Sequence, residues 1–214
     1  MIYLDHLTTT PTLPEVVDAM QPWLRGQFGA PASLHKLGLE ARDAIDAARE
    51  RLAKLVKGAE PEEIIFTSSG TEAINHAVKG AALANRRFGS HIVTTGIEHP
   101  AVLGSIAWLE SQGFSSTRVG VDGQGRVDPD TLGRAMTDET ILVCLQHANL
   151  DLGTVQPVAE VAELTSDSIR YVFEKRTTEK HIVHFNIYVF LYYFVASWTQ
   201  NRRQGRETQI RFGW

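Results

Sequence analysis

Residues 63–80, EIIFTSSGTEAINHAVKG, hold the side chains best spaced to grip an anion. Thr67, Ser68, Ser69, Gly70 and Thr71 place hydroxyls and a glycine between two apolar segments. Before them, Ile64, Ile65 and Phe66 suit a short buried strand. After them, Ala73, Ile74, Ala77 and Val78 follow helical spacing over Glu72 to Lys79. Such a loop at a helix N-terminus offers free backbone N–H groups, the positive end of the helix dipole and extra hydroxyl donors. That chemistry suits a phosphate. The pattern is neither GxxxxGK[ST] nor GxGxxG, so no nucleotide fingerprint is present. Taken alone, the stretch suits an ordinary capped strand-to-helix connection equally well.

Two further loops carry chemistry. Gly96 to Pro100 contains Glu98 and His99, and His147 to Pro157 contains Asn149 and Gln156. Taken alone, a loop histidine before proline is more often a structural hydrogen-bonder than a functional group. Glu98 suits positioning of its loop better than chemistry. The single cysteine, Cys144, lies inside the apolar run TILVCLQ and is expected to be an inert buried thiol. One cysteine also excludes an internal disulfide framework and a cysteine-cluster metal site.

The surrounding pattern supplies the elements that must position these loops. Helices are expected at Pro14 to Arg25, Leu34 to Val56, Ala101 to Gln112 and Asp128 to Met136, and another begins at Val158 to Leu164. Strands are expected at Ser90 to Thr95, Ser116 to Val121 and Thr140 to Gln146, besides Ile64 to Phe66. Met1 to Leu4 reads as an extended segment, Thr8 to Pro11 as a turn, and Gly58 with Pro61 as a helix stop. Apolar strands alternating with helices indicate an α/β fold with a mainly parallel sheet. Ligands in such folds sit beyond the carboxyl ends of the strands, where the three loops are expected to face one cleft.

Composition is that of an ordinary globular protein, with 43% hydrophobic and 21% charged residues among 214. A net charge of −4 points away from a nucleic-acid partner. No secretory signal is visible at the N-terminus, and a reducing, cytoplasmic setting is the default expectation. The α/β rhythm stops near Thr165, so residues 1–165 are taken as one domain and 166–214 as an unrelated or frame-disrupted tail. Within that tail Ile187 to Trp198 is dense in aromatic and β-branched residues but shorter than the ~20 apolar residues that span a bilayer. A strand-forming, aggregation-prone segment is the other reading, and a membrane role is disfavoured.

Five segments together resemble the class V aminotransferase-fold enzymes, specifically the cysteine desulfurases. YLDHLTTTP at Tyr3 to Pro11 is similar to their YLDxAATTP, and FGAPASLHKLG at Phe28 to Gly38 to FGNPSSxHxxG. EEIIFTSSGTEAINHAVKG is similar to EIxFTSGxTExNNxAxxG, and IEHPAVL and HANLDLGTVQP complete the order. The resemblance, running from about Ile2 to Leu164, implies a fold-type I large domain, pyridoxal 5'-phosphate and a homodimer. It further implies L-cysteine as substrate, alanine as product and sulfur passed on as an enzyme persulfide to a sulfur-acceptor protein, as in iron–sulfur cluster assembly. It places Gly70 and Thr71 in the cup for the cofactor phosphate and His99 as the catalytic, ring-stacking residue. Asn75 matches a helix asparagine, and Gln156 a structural Gln–Pro.

The departures bear on activity. Leu150 stands where the family has the asparagine that meets the cofactor's phenolic oxygen, leaving Asn149 as a weak substitute. Ala30 replaces a loop asparagine, and Leu7 and Thr8 replace paired alanines. The six lysines, at 36, 54, 57, 79, 175 and 180, all lie outside a Ser-x-His-Lys context. The family's cofactor-anchoring lysine, its aspartate for the ring nitrogen and its acceptor cysteine are not found. The expectation is a truncated chain that does not turn over cysteine alone. Another class V enzyme such as a selenocysteine lyase, or a non-catalytic partner subunit of an intact homologue, are the alternatives.

Overall fold

The computed structural model describes residues 2–3, 10–55, 60–168 and 193–196, the last four and 165–168 by backbone alone. Thr8 and Thr9 of the expected turn lie outside these residues, as do Gly58 and nearly all of the tail. The described residues form two compact units that divide between Ile65 and Phe66.

The first unit holds helices α1 (Pro14–Arg25) and α2 (Lys36–Leu55) and a short 3-10 turn, Pro61–Glu63. Proline at its first turn starts α1, and Gly26 follows its last residue. Helix α2 begins within the FGAPASLHKLG segment, where close backbone approach requires glycine. A Cβ on Gly38 would collide with the Ser33 carbonyl. Arg49 reaches from α2 to donate to the Ile64 carbonyl, tying the helix to the chain that leaves the 3-10 turn.

The second unit is a four-stranded sheet in the order β2-β1-β3-β4, with β1 His91–Thr95, β2 Ser115–Val119, β3 Thr140–Gln146 and β4 Tyr193–Ala196. β1 pairs in parallel with β2 and β3, with an irregularity in the β3 register between His91 and Ile92. β4 adds an antiparallel edge, pairing Gln146 with Tyr193 and Val143 with Ala196. Thus four residues of the aromatic tail segment form a strand.

Alternation along the central strands sorts side chains onto two faces. Ile92, Leu142 and Cys144 pack against α3 (Gly70–Asn85) and α4 (Pro100–Ser111), through Ile74, Val78, Val102, Ile106 and Leu109. Val93, Val143 and Leu145 pack against α5 (Pro129–Ala135) and α6 (Val158–Ser168), through Leu132, Val158 and Val161. Covering both faces explains why β1 and β3 are buried at every position, as a parallel sheet requires. The fold is the expected α/β arrangement.

One expected element is corrected. Ile64 to Phe66 is not a strand: Ile64 is buried, but Ile65 and Phe66 are 56% and 44% exposed, and the segment pairs with no strand among the described residues. A three-residue apolar run has too little periodicity to separate a strand from a connector between units.

Candidate active site

The hydroxyl-rich loop folds as a helix cap. Ser69 is the N-cap of α3, and its Oγ accepts the Glu72 N–H at 3.2 Å. Glu72 reaches back so that its Oε2 accepts the Ser68 N–H at 2.6 Å and the Ser68 hydroxyl at 2.5 Å. These hydrogen bonds hold the Glu72 carboxyl below the usual carboxylate range. Thr67 donates its hydroxyl to the Ser69 carbonyl at 3.1 Å, and the Asn75 amide donates to the Thr71 carbonyl at 2.9 Å. Asn75 therefore serves its own helix.

Ser68 to Glu72 are exposed, and a Cβ on Gly70 would meet nothing within 4 Å. Gly70 is not there to relieve packing; the open space leaves the first backbone amides of α3 approachable by a ligand. This donor set fits a phosphate monoester.

A second helix N-terminus shares that end of the sheet. The Lys79 ammonium lies 4.8 Å from the centre of the Trp108 ring, and the Arg86 guanidinium 5.0 Å from that of Phe114. Lys79 stands as far along α3 as Trp108 stands along α4, to within one residue. The two helices therefore run parallel and in step, and their N-termini lie together beyond the carboxyl end of β1. Residue His99 caps α4: its Nδ1 accepts the Ala101 N–H at 3.0 Å. In the neutral ring the proton then sits on Nε2.

The loops after β1 and β3 are joined by hydrogen bonds. Both the Gln146 Nε2, at 2.9 Å, and the Asn149 Nδ2, at 3.3 Å, donate to the Ile97 carbonyl. The Gln146 N–H, at 3.2 Å, and the Thr95 hydroxyl, at 2.7 Å, donate to Oε1 of Glu98. Glu98 is 4% exposed, and its Oε2 has no hydrogen-bond partner among the described residues. Burial pushes its carboxyl up to about 7, against the smaller opposing effect of these hydrogen bonds.

The expected site residues thus divide. His99 and the Glu98 network lie together at the ends of β1 and β3, and Gly70 and Thr71 open the neighbouring parallel helix. Both ends of the Asn149 carboxamide are engaged: Nδ2 by the Ile97 carbonyl, and Oδ1 by the Asp151 and Leu152 N–H groups at 3.0 and 2.8 Å. Gln156 binds the Val127 N–H and the Gly125 carbonyl, at 2.9 and 2.6 Å, and is a buried brace. Cys144 is 2% exposed, and burial, with Glu98 nearby, pushes its thiol well above the ordinary range. Among the lysines, Lys36 pairs with Glu40 on the surface at 3.8 Å and Lys79 covers Trp108. Lys57, Lys175 and Lys180 lie outside the described residues. Among the described residues, no group of three or more His, Cys, Asp and Glu side chains could hold a metal. No helix there is long and apolar enough to cross a membrane. Sequence reasoning missed the depth at which Glu98 is buried and the part played by Gln146; an acidic residue just past a strand carries no signal of burial.

Comparison with known proteins places this geometry. A family model described as aminotransferase class-V matches residues 2–173. The chain is 46% identical over 170 residues to the cysteine desulfurase IscS of Methanosarcina thermophila, covering 79% of this chain and 42% of that protein. Among solved structures, a NifS-like protein superposes with a TM-score of 0.72 at 35% identity, covering 77% of this chain and 45% of the other. A structure described as SspA in complex with cysteine superposes with a TM-score of 0.69 at 34% identity, covering 74% and 45%. The chain spans less than half the length of these relatives. Its sheet and flanking helices are those of the fold-type I, pyridoxal-phosphate-dependent, NifS-like structures. With the family model matched over residues 2–173, the chain belongs to the aminotransferase class-V family.

Proposed function

We propose that this chain carries the phosphate-cup and ring-stacking half of a pyridoxal-5'-phosphate-dependent cysteine desulfurase site. The observation that carries this reading is the pairing of two parallel helix N-termini, the open Gly70–Thr71 amides on one and His99 on the other. The Gly70 and Thr71 amides, with the Thr71 hydroxyl, hold the cofactor phosphate. His99 would lie against the cofactor ring, its Nε2 proton directed by the bond that Nδ1 accepts from Ala101. When bound, the cofactor supplies an electron sink that eases bond breaking at an amino acid's α carbon.

The proposed substrate is L-cysteine, in keeping with relatives named cysteine desulfurases and a structural neighbour described with cysteine. The net reaction converts cysteine and an acceptor thiol into alanine and a persulfide. Cys144 is not that acceptor, because a buried thiol held in its protonated form is neither nucleophilic nor accessible. A homodimer, a sulfur-acceptor partner and a cytoplasmic setting belong to the same proposal. The chain of 214 residues turns over no cysteine by itself, since none of its lysines stands in the Ser-x-His-Lys context.

The test is to purify the chain, add pyridoxal 5'-phosphate and L-cysteine, and follow cofactor fluorescence and alanine. Saturable cofactor binding without alanine is expected. Absence of binding overturns the cup assignment, and alanine formation overturns the inactivity of the isolated chain.

A further inference from the structure

We infer that Glu98 is a positioning residue for His99, acting as a hydrogen-bonded clamp between the ends of β1 and β3 and not as a charge. The inference rests on the cofactor-site reading only for the use to which His99 is put. The geometry is independent of any ligand. One carboxyl oxygen, Oε1, accepts from Thr95 on β1 and from the backbone N–H of Gln146 on β3. The carbonyl of the preceding residue, Ile97, accepts from the Gln146 and Asn149 side chains. Ile97 and Glu98 are thus held from the β3 side, and His99 follows directly, fixed on its other side by the cap it makes to α4. These bonds hold the turn as it leaves β1, and with it the direction of the imidazole.

The clamp needs no charge. Oε2 has neither a cation nor a hydrogen-bond partner among the described residues, and burial disfavours the carboxylate. A glutamine would keep an oxygen in the Oε1 position and the same two donors. An alanine would leave the Thr95 hydroxyl and the Gln146 N–H buried and unpaired.

The experiment compares the full 214-residue chain with Glu98→Gln, Glu98→Ala and Thr95→Val by amide hydrogen exchange and by the carbon-bound proton signals of the histidine rings in NMR. In Glu98→Ala the Gln146 and Ala101 amides exchange about tenfold faster, and the His99 ring signal moves while that of His91 stays. Glu98→Gln restores both to within about twofold of the parent. Thr95→Val gives a smaller change of the same sense. Wild-type exchange in Glu98→Ala, or failure of Glu98→Gln to restore His99, overturns the inference. Should Glu98→Ala not fold, Glu98→Gln and Thr95→Val decide it by the same signals. Pyridoxal 5'-phosphate affinity is measured separately and is expected to fall about tenfold in Glu98→Ala and to return in Glu98→Gln. If the parent chain fails to bind the cofactor while the exchange pattern holds, the cofactor reading falls and the clamp stands.

Discussion

The two ends of strand β1 treat buried polar groups in opposite ways. At the start, His91 uses both ring nitrogens, at 2.7 Å from the Thr140 hydroxyl and 2.8 Å from that of Thr117. It thereby links the central strand to both neighbours. Just past the other end, Glu98 uses one oxygen twice and leaves the second without a partner among the described residues. Thr94, near that end, also has a buried hydroxyl without a hydrogen-bond partner among the described residues. Burial drives His91 below and Glu98 above their ordinary values, so each is shifted toward its neutral form. The satisfied end is a fastening. The under-satisfied end lies where the loops of the proposed site converge, which is where unspent hydrogen-bonding capacity is of use.

The largest effect expected from this contrast is a pH dependence of stability. Glu98 has a folded-state value of about 7 against an ordinary 4.5, so its contribution is fully present below 4.5 and is lost as pH rises through 7. The loss amounts to at most about 3 kcal/mol. Urea unfolding of the parent and Glu98→Gln, followed from acid to mildly alkaline pH, should show it: the variant gains on the parent as pH rises. Parallel profiles would erase the distinction between the two ends.

Next in size is Gly89→Ala, just before β1. A Cβ there would collide with the Glu139 carbonyl, and a loss of about 2 kcal/mol is expected by urea unfolding. A variant as stable as the parent would mean that this end is looser than its packing implies. His91→Leu should lose about 1–2 kcal/mol at neutral pH by stranding two threonine hydroxyls. Its folded-state value is depressed, so the parent's advantage is present above the ordinary 6.5 and fades as pH falls below it, opposite in sign to Glu98. A variant whose deficit persists unchanged in acid would show that His91 is not held neutral. The smallest effect is at the open helix end: inorganic phosphate at about ten times its dissociation constant should raise stability by about 1.4 kcal/mol, seen as an increased melting temperature. Equal stabilisation by chloride at matched ionic strength would reduce this to general screening.

Much of this was legible in the residues. α1 has the expected bounds, β3 the expected seven residues, and the two-faced burial of β3 follows from its unbroken apolar run, Ile141 to Leu145. The loop at Thr67 to Thr71 was legible as a helix start because hydroxyl caps and a following glutamate carry a local signature. Ile64 to Phe66 was not, because three apolar residues suit a connector as well as a strand. Glu98 was legible as a loop positioner but not as a buried acid, since its burial depends on β3 residues 48 positions away. Asn149 was matched by its place in a motif, but its carboxamide is occupied by the turn that follows it and by the Ile97 carbonyl, contacts that motif spacing does not encode.

The in-step alignment of α3 and α4 has a consequence for handling the protein. Two helices lying side by side in the same sense bring their positive poles together, and each disfavours the other slightly until a counter-ion arrives. An anion bound at that end would therefore strengthen the tertiary structure as well as fill the proposed cup. The choice of buffer salt becomes a structural variable, and a preparation kept in phosphate and one kept in a bulky organic buffer should be compared as two states of assembly before either is taken as the resting form.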